Sequence, residues 1–125
     1  MSGTRILEWR VESRRFGTPV SGILEILEAR SAIRIPGAPP EILGLVNVRG
    51  TILTVIDGRT LFGEIRSGDP GAILVIEVQG RAVGVAVSEV LDLLDAGQAD
   101  SAGVDVPDLA AHAGRLFGPD PVGRA

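Results

Sequence analysis

Apolar and charged residues alternate near the start of the chain. Leu7, Trp9 and Val11 are separated from one another by single charged residues. A period of two is the spacing of a half-buried strand with one solvated face. The pattern therefore predicts a strand here, followed by a turn over residues 12–15.

Prolines shape the next part of the chain. Residues 16–20 are extended and contain Pro19, which cannot donate to a ladder and so indicates a strand end or a sheet edge. Residues 36–40 form a stiff loop, whose last proline can begin a single helical turn over residues 40–43. Residues 23–28 are compatible with a helix by propensity, although their β-branched residues favour a turn that leads into a strand.

A hairpin is predicted at the centre of the chain. Residues 41–57 place Asn47 and Arg49 between two β-branched apolar runs. Gly50 supplies the positive φ that a tight hairpin needs. Arg49 therefore occupies a fixed position, where its planar fork can bind a carboxylate of the same domain or a partner.

A second hairpin is predicted from two apolar runs, at residues 73–78 and 81–87, around a turn at residues 79–80. A short helical or irregular connection at residues 57–63 and a turn at residues 67–71 precede it. Several short strands at close spacing, with so little helix, indicate a β-barrel or a sandwich.

Composition narrows the class of protein. The 125 residues are 45% apolar and 22% charged, which is typical of one small globular domain. The net charge of −4 argues against nucleic acid as a partner, because phosphate backbones require a basic patch. The chain has no Cys, which excludes disulfides and thiol chemistry. It also lacks the ~20-residue apolar run of a membrane span, so we expect no direct membrane insertion.

Five pieces of the chain follow one another in a definite order. They are an apolar strand ending in Glu at residues 20–25, a Pro-rich loop at 36–40, the core Gly-Leu-Val-Asn-Val-Arg-Gly at 44–50, an apolar strand ending in Asp at 51–57, and a Val-Gly-rich hairpin at 72–90. This order resembles the CheW family, the adaptor domain that couples chemoreceptors to their histidine kinase. The resemblance covers roughly residues 5–95.

The resemblance implies an all-β fold, a CheW-like double SH3-like β-barrel, in which two five-stranded barrels share a seam. The family has a further pair of strands after the second hairpin, whereas residues 96–125 here are rich in Gly, Ala, Asp and Pro. We therefore expect residues 1–95 to form the domain core, the second barrel to be abbreviated, and the C-terminal segment to be partly ordered or frayed, above all at residues 118–125.

Such a shortened barrel leaves a sheet edge and part of a core uncovered. Two outcomes are open. Leu109, Leu116 and Phe117 can fold back over the gap, or another chain can add strands to it.

The family's signature polar residues fall on Glu25 and Arg49, and we expect these two to form a salt bridge. An architectural role for the pair is favoured over partner contact, because well-placed Arg forks more often organise local structure. Breaking the pair is expected to cost ~3 to 5 kcal/mol if it is partly buried and ~0 to 1 if it is exposed. Asn47 is interpreted as a turn former and Gly44 and Gly50 as backbone requirements.

Three apolar residues complete the partner-binding set that the resemblance implies. Ile23, Val85 and Val90 are candidates to line the family's groove, although apolar strand residues are more often plain core. The full set is Ile23, Glu25, Gly44, Asn47, Arg49, Gly50, Val85 and Val90.

No constellation in the sequence points to catalysis, a cofactor or a metal. Asp57 is followed by an Arg and not by further acidic residues, which favours a turn or a salt bridge over a phospho-acceptor site. His112 has no nucleophile or second ligand arranged near it in sequence and is expected to be solvated. Asp92 and Asp95 are interpreted as the wet face of a Leu-rich segment.

The resemblance implies a non-catalytic adaptor in chemotaxis signal transduction. Its partners would be the cytoplasmic tip of a chemoreceptor and the regulatory domain of a CheA-type histidine kinase, in the cytoplasm at membrane-associated arrays. An alternative is a truncated relative that binds only one partner and acts as a competitor or regulator in a motility or other chemosensory pathway. An enzyme on a small β-barrel has less support, since no acid, base and nucleophile converge in the sequence.

Overall fold

The computed structural model of the protein describes residues 4–117. Its elements, in chain order, are β1 (Arg5–Val11), β2 (Arg14–Pro19), a 3-10 helical turn (Val20–Gly22), β3 (Glu25–Glu28), β4 (Ile42–Val48), β5 (Thr51–Asp57), α1 (Gly58–Leu61), β6 (Ala72–Val78), β7 (Arg81–Val87), β8 (Glu89–Asp95), α2 (Ala96–Ser101), α3 (Leu109–Gly114) and a second 3-10 helical turn (Arg115–Phe117).

These strands form two sheets, which confirms the all-β prediction. One sheet has the order β3-β6-β7-β5-β4, and the other has the order β2-β1-β8. All neighbouring strands are antiparallel except β5 and β7, which are parallel. Both sheets curl into a barrel-like arrangement. Within residues 4–117 the second sheet has three strands, in agreement with the expected abbreviation.

The five-stranded sheet closes on itself between its two outer strands, β3 and β4. Beyond β3 the chain runs on to Ile33, whose N–H and C=O both bond to Leu45 of β4 at 2.8 Å. Gly44 lies at a bulge in the β4–β5 register and has a φ of +148°. A Cβ at Gly44 would lie 2.3 Å from the carbonyl oxygen of Ile33, so only glycine allows this approach.

Two apolar cores lie on opposite faces of the five-stranded sheet, because alternate residues of β6 point to opposite sides. Ile73 and Val75 face the interior of the closed barrel, and Leu74 and Ile76 face the three-stranded sheet. The barrel core consists of Leu27, Val46, Leu53, Val55, Ile73, Val75 and Ala86. The sheet therefore serves both halves of the molecule.

Aromatic residues dominate the core between the two sheets. The rings of Trp9 and Phe16 stack with their centroids 4.9 Å apart, and Phe62 lies 4.6 Å from Phe16. The indole N–H of Trp9 donates to the hydroxyl of Thr18 at 2.9 Å, so its one polar atom is satisfied inside the core. Trp9, predicted to lie on the buried face of β1, is fully buried.

The prediction of one wet face on β1 is wrong at Glu8, which is only 4% exposed. Glu8 pairs with Arg15 of the neighbouring strand, so its charge is compensated. The same face of β1 is covered by α2, whose Ala99 packs with Ile6 and Val104. The C-terminal segment thus buries a face that the alternation alone marks as solvated.

Most predicted elements between the strands are confirmed. A 3-10 turn leads into β3, as favoured over a helix, and α1 occupies the predicted connection after β5. The turn between β1 and β2 is shorter than predicted, because β2 already begins at Arg14. No helical turn begins at Pro40. The Ile42 N–H bonds to the carbonyl of Pro39 at 2.9 Å in a single turn, and β4 starts at once.

Residues 96–117 of the C-terminal segment fold back onto the body of the molecule. Leu109 and Ala113 of α3 are buried in the core between the sheets, and Leu116 and Phe117 pack against it. This is the first of the two outcomes left open by the sequence. The expected fraying of residues 118–125 lies outside the described residues. Within residues 4–117, no helix has the length and apolar character needed to cross a membrane.

Closure at Gly44 predicts a difference between two glycine substitutions. Gly44→Ala should lower the free energy of unfolding by about 3 kcal/mol or more, because it combines a backbone clash with an unfavourable φ. Gly50 has a φ of +86°, but no atom lies within 4 Å of the place that a Cβ would occupy, so Gly50→Ala should cost only about 1 kcal/mol. Urea unfolding of both variants measures the difference, and equal losses would contradict the role assigned to Gly44.

Candidate partner-binding surface

The β4–β5 hairpin presents Arg49 at a rigid, exposed turn. Arg49 and Gly50 both have positive φ, 50° and 86°, which is the geometry of a two-residue type I′ turn. The side-chain oxygen of Asn47 accepts a hydrogen bond from the Gly50 N–H at 2.8 Å. The predicted turn roles of Asn47 and Gly50 are therefore confirmed.

Arg49 reaches from this hairpin to Glu25 at the start of β3, as predicted. Its Nη2 contacts both carboxylate oxygens of Glu25, at 2.7 and 2.8 Å. The two side chains are 74% and 37% exposed. An ion pair this exposed contributes ~0 to 1 kcal/mol to stability, so the lower of the two expected ranges applies.

The salt bridge leaves much of the Arg49 guanidinium unused. Only Nη2 is engaged, so Nε and Nη1 have no partner among residues 4–117. An arginine side chain that is held in place at one nitrogen and open at the others can donate hydrogen bonds to a second carboxylate without moving far.

Apolar side chains lie next to both ends of the salt bridge. Leu24 precedes Glu25 and Ile52 lies across the hairpin from Asn47, and each is 59% exposed. Ile26, farther along β3, is also exposed. Large apolar residues around a charged pair are typical of protein-binding surfaces, where a desolvated centre is combined with polar contacts.

The structure divides the eight candidate residues among three places. Glu25, Asn47, Arg49 and Gly50 lie together at the hairpin end of the barrel. Gly44 is buried at the closure with Ile33. The other three share one apolar cluster. Of these, Ile23 and Val90 are partly buried, while Val85 is fully buried and offers no surface in this conformation.

A second cluster of charges is buried at the end of β5. Asp57 is fully buried and caps α1 by accepting from the Arg59 N–H at 3.0 Å. Its carboxylate also binds the Arg59 side chain at 3.0 and 3.2 Å and Arg66 Nε at 2.7 Å. The interpretation of Asp57 as a turn and salt-bridge residue is confirmed.

Arg59 is the organising cation of this cluster. Its hydrogen bond to Asp57 raises the pKa of the guanidinium, although burial acts in the opposite direction. Nη1 of Arg59 donates to the carbonyls of Ser67 and Gly68, at 3.3 and 2.6 Å, and lies 3.7 Å from Glu12. Arg59 thereby fastens the loop between α1 and β6 to the end of the barrel.

The remaining titratable candidates have structural roles. Asp92 and Asp95 are exposed, but they lie opposite Glu8 and Arg5 and so on different faces of β8, and the prediction that they form one wet face is wrong. Asp95 also caps α2 through a capping box with Gln98. His112 differs from its prediction. It is partly buried, with its ring 5.2 Å from that of Phe62. Residues 4–117 contain no group of three or more acidic or His side chains placed to hold a metal ion.

Comparison with known proteins identifies the family. The family model for the CheW-like domain matches residues 5–114, which is most of the chain. The chain belongs to the CheW-like family. CheW-like proteins are non-catalytic scaffold proteins of chemotaxis, and the resemblance found in the sequence is confirmed.

Individual CheW-like relatives agree with this assignment. The chain is 30% identical to chemotaxis protein CheW of Rhizobium meliloti (strain 1021) over 118 residues, which are 92% of this chain and 74% of that protein. It is 36% identical to protein FrzA of Myxococcus xanthus over 88 residues, which are 68% of this chain and 54% of FrzA. The chain therefore spans between about half and three quarters of these relatives.

The fold of the CheW-like domain agrees as well. The crystal structure of the scaffolding protein TtCheW from Thermoanaerobacter tengcongensis superposes with a TM-score of 0.70 at 25% identity, and the match covers 82% of this chain and 66% of that one. The curled two-sheet arrangement described above is thus the arrangement of a solved CheW scaffold.

Sequence patterns missed several features of the CheW-like surface. The strand β8 was not predicted, because its Leu residues are interrupted by acidic ones without strict alternation. The exposure of Leu24 and Ile52 was also missed, since an apolar residue on a predicted strand is assigned to the core by default. Only the position of Leu24 beside an outer strand could have indicated otherwise.

The buried cluster predicts unequal effects for its two arginines. Arg59→Ala should lower the free energy of unfolding by ~3 to 5 kcal/mol, because it leaves a buried carboxylate without its main partner. Arg66 is 43% exposed, and Arg66→Ala should cost about 1 kcal/mol or less. Urea unfolding measures both losses.

The effect of Arg59 should not depend on pH in the ordinary range. A raised pKa means that its stabilising contribution is complete below the pKa of an unfolded arginine and is lost only at still higher pH. The difference in the free energy of unfolding between the parent and Arg59→Ala should therefore stay constant from about pH 6 to about pH 9.

The comparison of the two arginines has its own contradicting outcome. A loss of unfolding free energy for Arg66→Ala as large as that for Arg59→Ala would contradict the central role of Arg59.

Proposed function

We propose that this protein is a chemotaxis adaptor that couples a chemoreceptor to a CheA-type histidine kinase. Its membership of a scaffold family supports a role based on binding. The observation that carries the proposal is the surface at the hairpin end of the barrel, where a rigid Arg49 with open donors lies among exposed apolar residues.

The kinase regulatory domain is the partner we assign to this surface. A carboxylate on the kinase would engage Nε and Nη1 of Arg49, and its apolar residues would cover Leu24 and Ile52. The combination of a charged anchor with apolar area is the composition of interface hot spots. The exposed pair with Glu25 keeps the guanidinium oriented before binding, which reduces the entropy lost on association.

The receptor tip is assigned to the junction of the two sheets. Ile23 and Val90 are partly buried there against the core between the sheets, and Val85 supports them from beneath. A helical receptor tip would present apolar residues at helical spacing to such a groove. In this proposal the protein works in the cytoplasm, at arrays where the receptors are in the membrane.

A second candidate function is a single-partner regulator. The three-stranded second sheet favours it. Within residues 4–117 the first barrel is closed, whereas the second has too few strands to be a complete barrel. A protein of this kind would occupy one binding surface of the array and compete with a full adaptor for it.

Two calorimetric titrations separate these functions. An adaptor should give saturable one-to-one heat both with the kinase regulatory domain and with a soluble chemoreceptor cytoplasmic fragment from the same organism. Binding to only one of the two would establish the single-partner function. Absence of heat with both, from protein shown to be folded by circular dichroism, would contradict the coupling proposal.

Arg49→Ala tests the hairpin surface directly. Removal of the Arg49 side chain should weaken kinase binding about tenfold or more, as for a charged hot-spot residue. The melting temperature should stay nearly unchanged, because the ion pair with Glu25 is exposed. Arg5→Ala is the matched control, since Arg5 is an exposed arginine that begins β1 in the other sheet. Full kinase binding by Arg49→Ala, or an equal loss with Arg5→Ala, would contradict the assignment.

A further inference from the structure

A cavity of about 610 Å³ lies between two loops on the closed barrel, away from the Arg49 hairpin. One wall is the segment that follows β3, with Arg30, Ser31 and Arg34. The other wall is the loop between α1 and β6, with Arg66 and Asp69, and Arg59 also lines the cavity. Four arginines from two distant parts of the sequence therefore line one space, in a chain whose net charge is −4.

Two of the four arginines form a fixed wall of the cavity. Arg59 is 5% exposed and is held by Asp57 and by the Ser67 and Gly68 carbonyls. Arg66 is oriented by Asp57 at 2.7 Å and by the Pro40 carbonyl at 3.3 Å, but its Nη1 has no partner among residues 4–117. Asp57 and Glu12 together balance the charges of Arg59 and Arg66, so what this wall offers a ligand is the open Nη1 donor of Arg66 and not a net charge.

The other two arginines are uncompensated. Arg30 and Arg34 form no ion pair or side-chain hydrogen bond with any residue of the described range 4–117. Both are exposed at the cavity, on the segment that leads to and follows the barrel closure at Ile33. Asp69 is the one carboxylate in the lining. The unpaired charges of Arg30 and Arg34 exceed that of Asp69, and such an excess of positive charge beside a concave space attracts anions because the field is focused there.

We propose that this cavity binds a small anion of the phosphate class, with Arg30, Arg34 and Arg66 as its ligands and Arg59 as a fixed charge behind them. The planar fork of arginine matches two oxygens of a phosphoryl group, and several forks around one space favour a ligand with more than one phosphate. The volume lies within the ~300 to 1,000 Å³ range of small-molecule sites.

The lining also limits which part of a ligand is recognised. It contains no aromatic side chain on which a nucleobase could stack. Recognition would therefore depend on phosphate charge, and pyrophosphate should bind more tightly than orthophosphate. ATP and GTP should bind equally well. The sequence contains no Gly-rich phosphate loop, so this site is formed by the fold and not by a local motif.

Isothermal titration with four probes, orthophosphate, pyrophosphate, ATP and GTP, tests the proposal, with citrate as a carboxylate comparison. We expect one-to-one binding of pyrophosphate and of both nucleotides, weakened by added salt. The double variant Arg30→Gln/Arg34→Gln should lose about tenfold or more in affinity, because two charge-assisted contacts are removed. Asp69→Asn should bind more tightly than the parent, since it removes the opposing charge.

The control is Arg5→Gln/Arg81→Gln, which removes two exposed arginines that do not line the cavity. Equal losses in the two double variants would show a general charge effect and overturn the site. Absence of saturable binding to the parent protein would overturn it as well, and tighter binding of citrate than of pyrophosphate would overturn the phosphate class. Tighter binding of ATP than of GTP would contradict recognition by phosphate alone. Equal binding of pyrophosphate and ATP would show that inorganic polyphosphates and nucleotides supply the phosphate ligand equally well.

Discussion

The closure between Ile33 and Leu45 is the constraint on which the architecture depends. A five-stranded sheet has two free edges, and here the chain beyond β3 crosses to β4 and pairs with it through two short backbone bonds. That crossing requires Gly44, because any Cβ would occupy the space of the Ile33 carbonyl. Once the sheet is closed, the barrel core has a boundary, the hairpin end is brought opposite Glu25, and the walls of the arginine-lined cavity have fixed positions.

Sharing one sheet between two cores gives this small protein enough buried surface. Residues of β6 and β7 alternate between the barrel interior and the core around Trp9, so a single pair of strands contributes to both. In the second core, α3 supplies Leu109 and Ala113 to a region where its three-stranded sheet provides little cover. Apolar residues of a C-terminal helix can replace strands there because the hydrophobic effect depends on the area buried and not on the element that buries it.

The sequence predicted the elements whose signal is local. The two hairpins and the glycine and asparagine of the turn follow from residue types at fixed spacing. The family pattern supplied the Glu25–Arg49 pair and the order of the strands. The sequence did not predict features that depend on distant packing. Glu8 is buried and paired with Arg15 on the face of β1 where Ile6 packs with Ala99 of α2, and β8 forms because β1 offers an edge to its mixed acidic and apolar sequence. The fully buried Val85 and the exposed Leu24 have the same apolar character in the sequence, and only their positions relative to the sheet separate them.

The exposed contact between Arg49 and Glu25 also has a consequence for selectivity. A partner that approaches with a carboxylate adds a second acidic group at a guanidinium that already holds Glu25, so the electrostatic gain from charge alone is reduced. Stray anions in solution therefore gain little at this position, since the charge of the arginine is already partly balanced by its own chain. A surface that also removes water from the neighbouring leucine and isoleucine gains more, because apolar burial is added to the contact with the open donors. The internal carboxylate thus makes binding depend on shape as well as on charge.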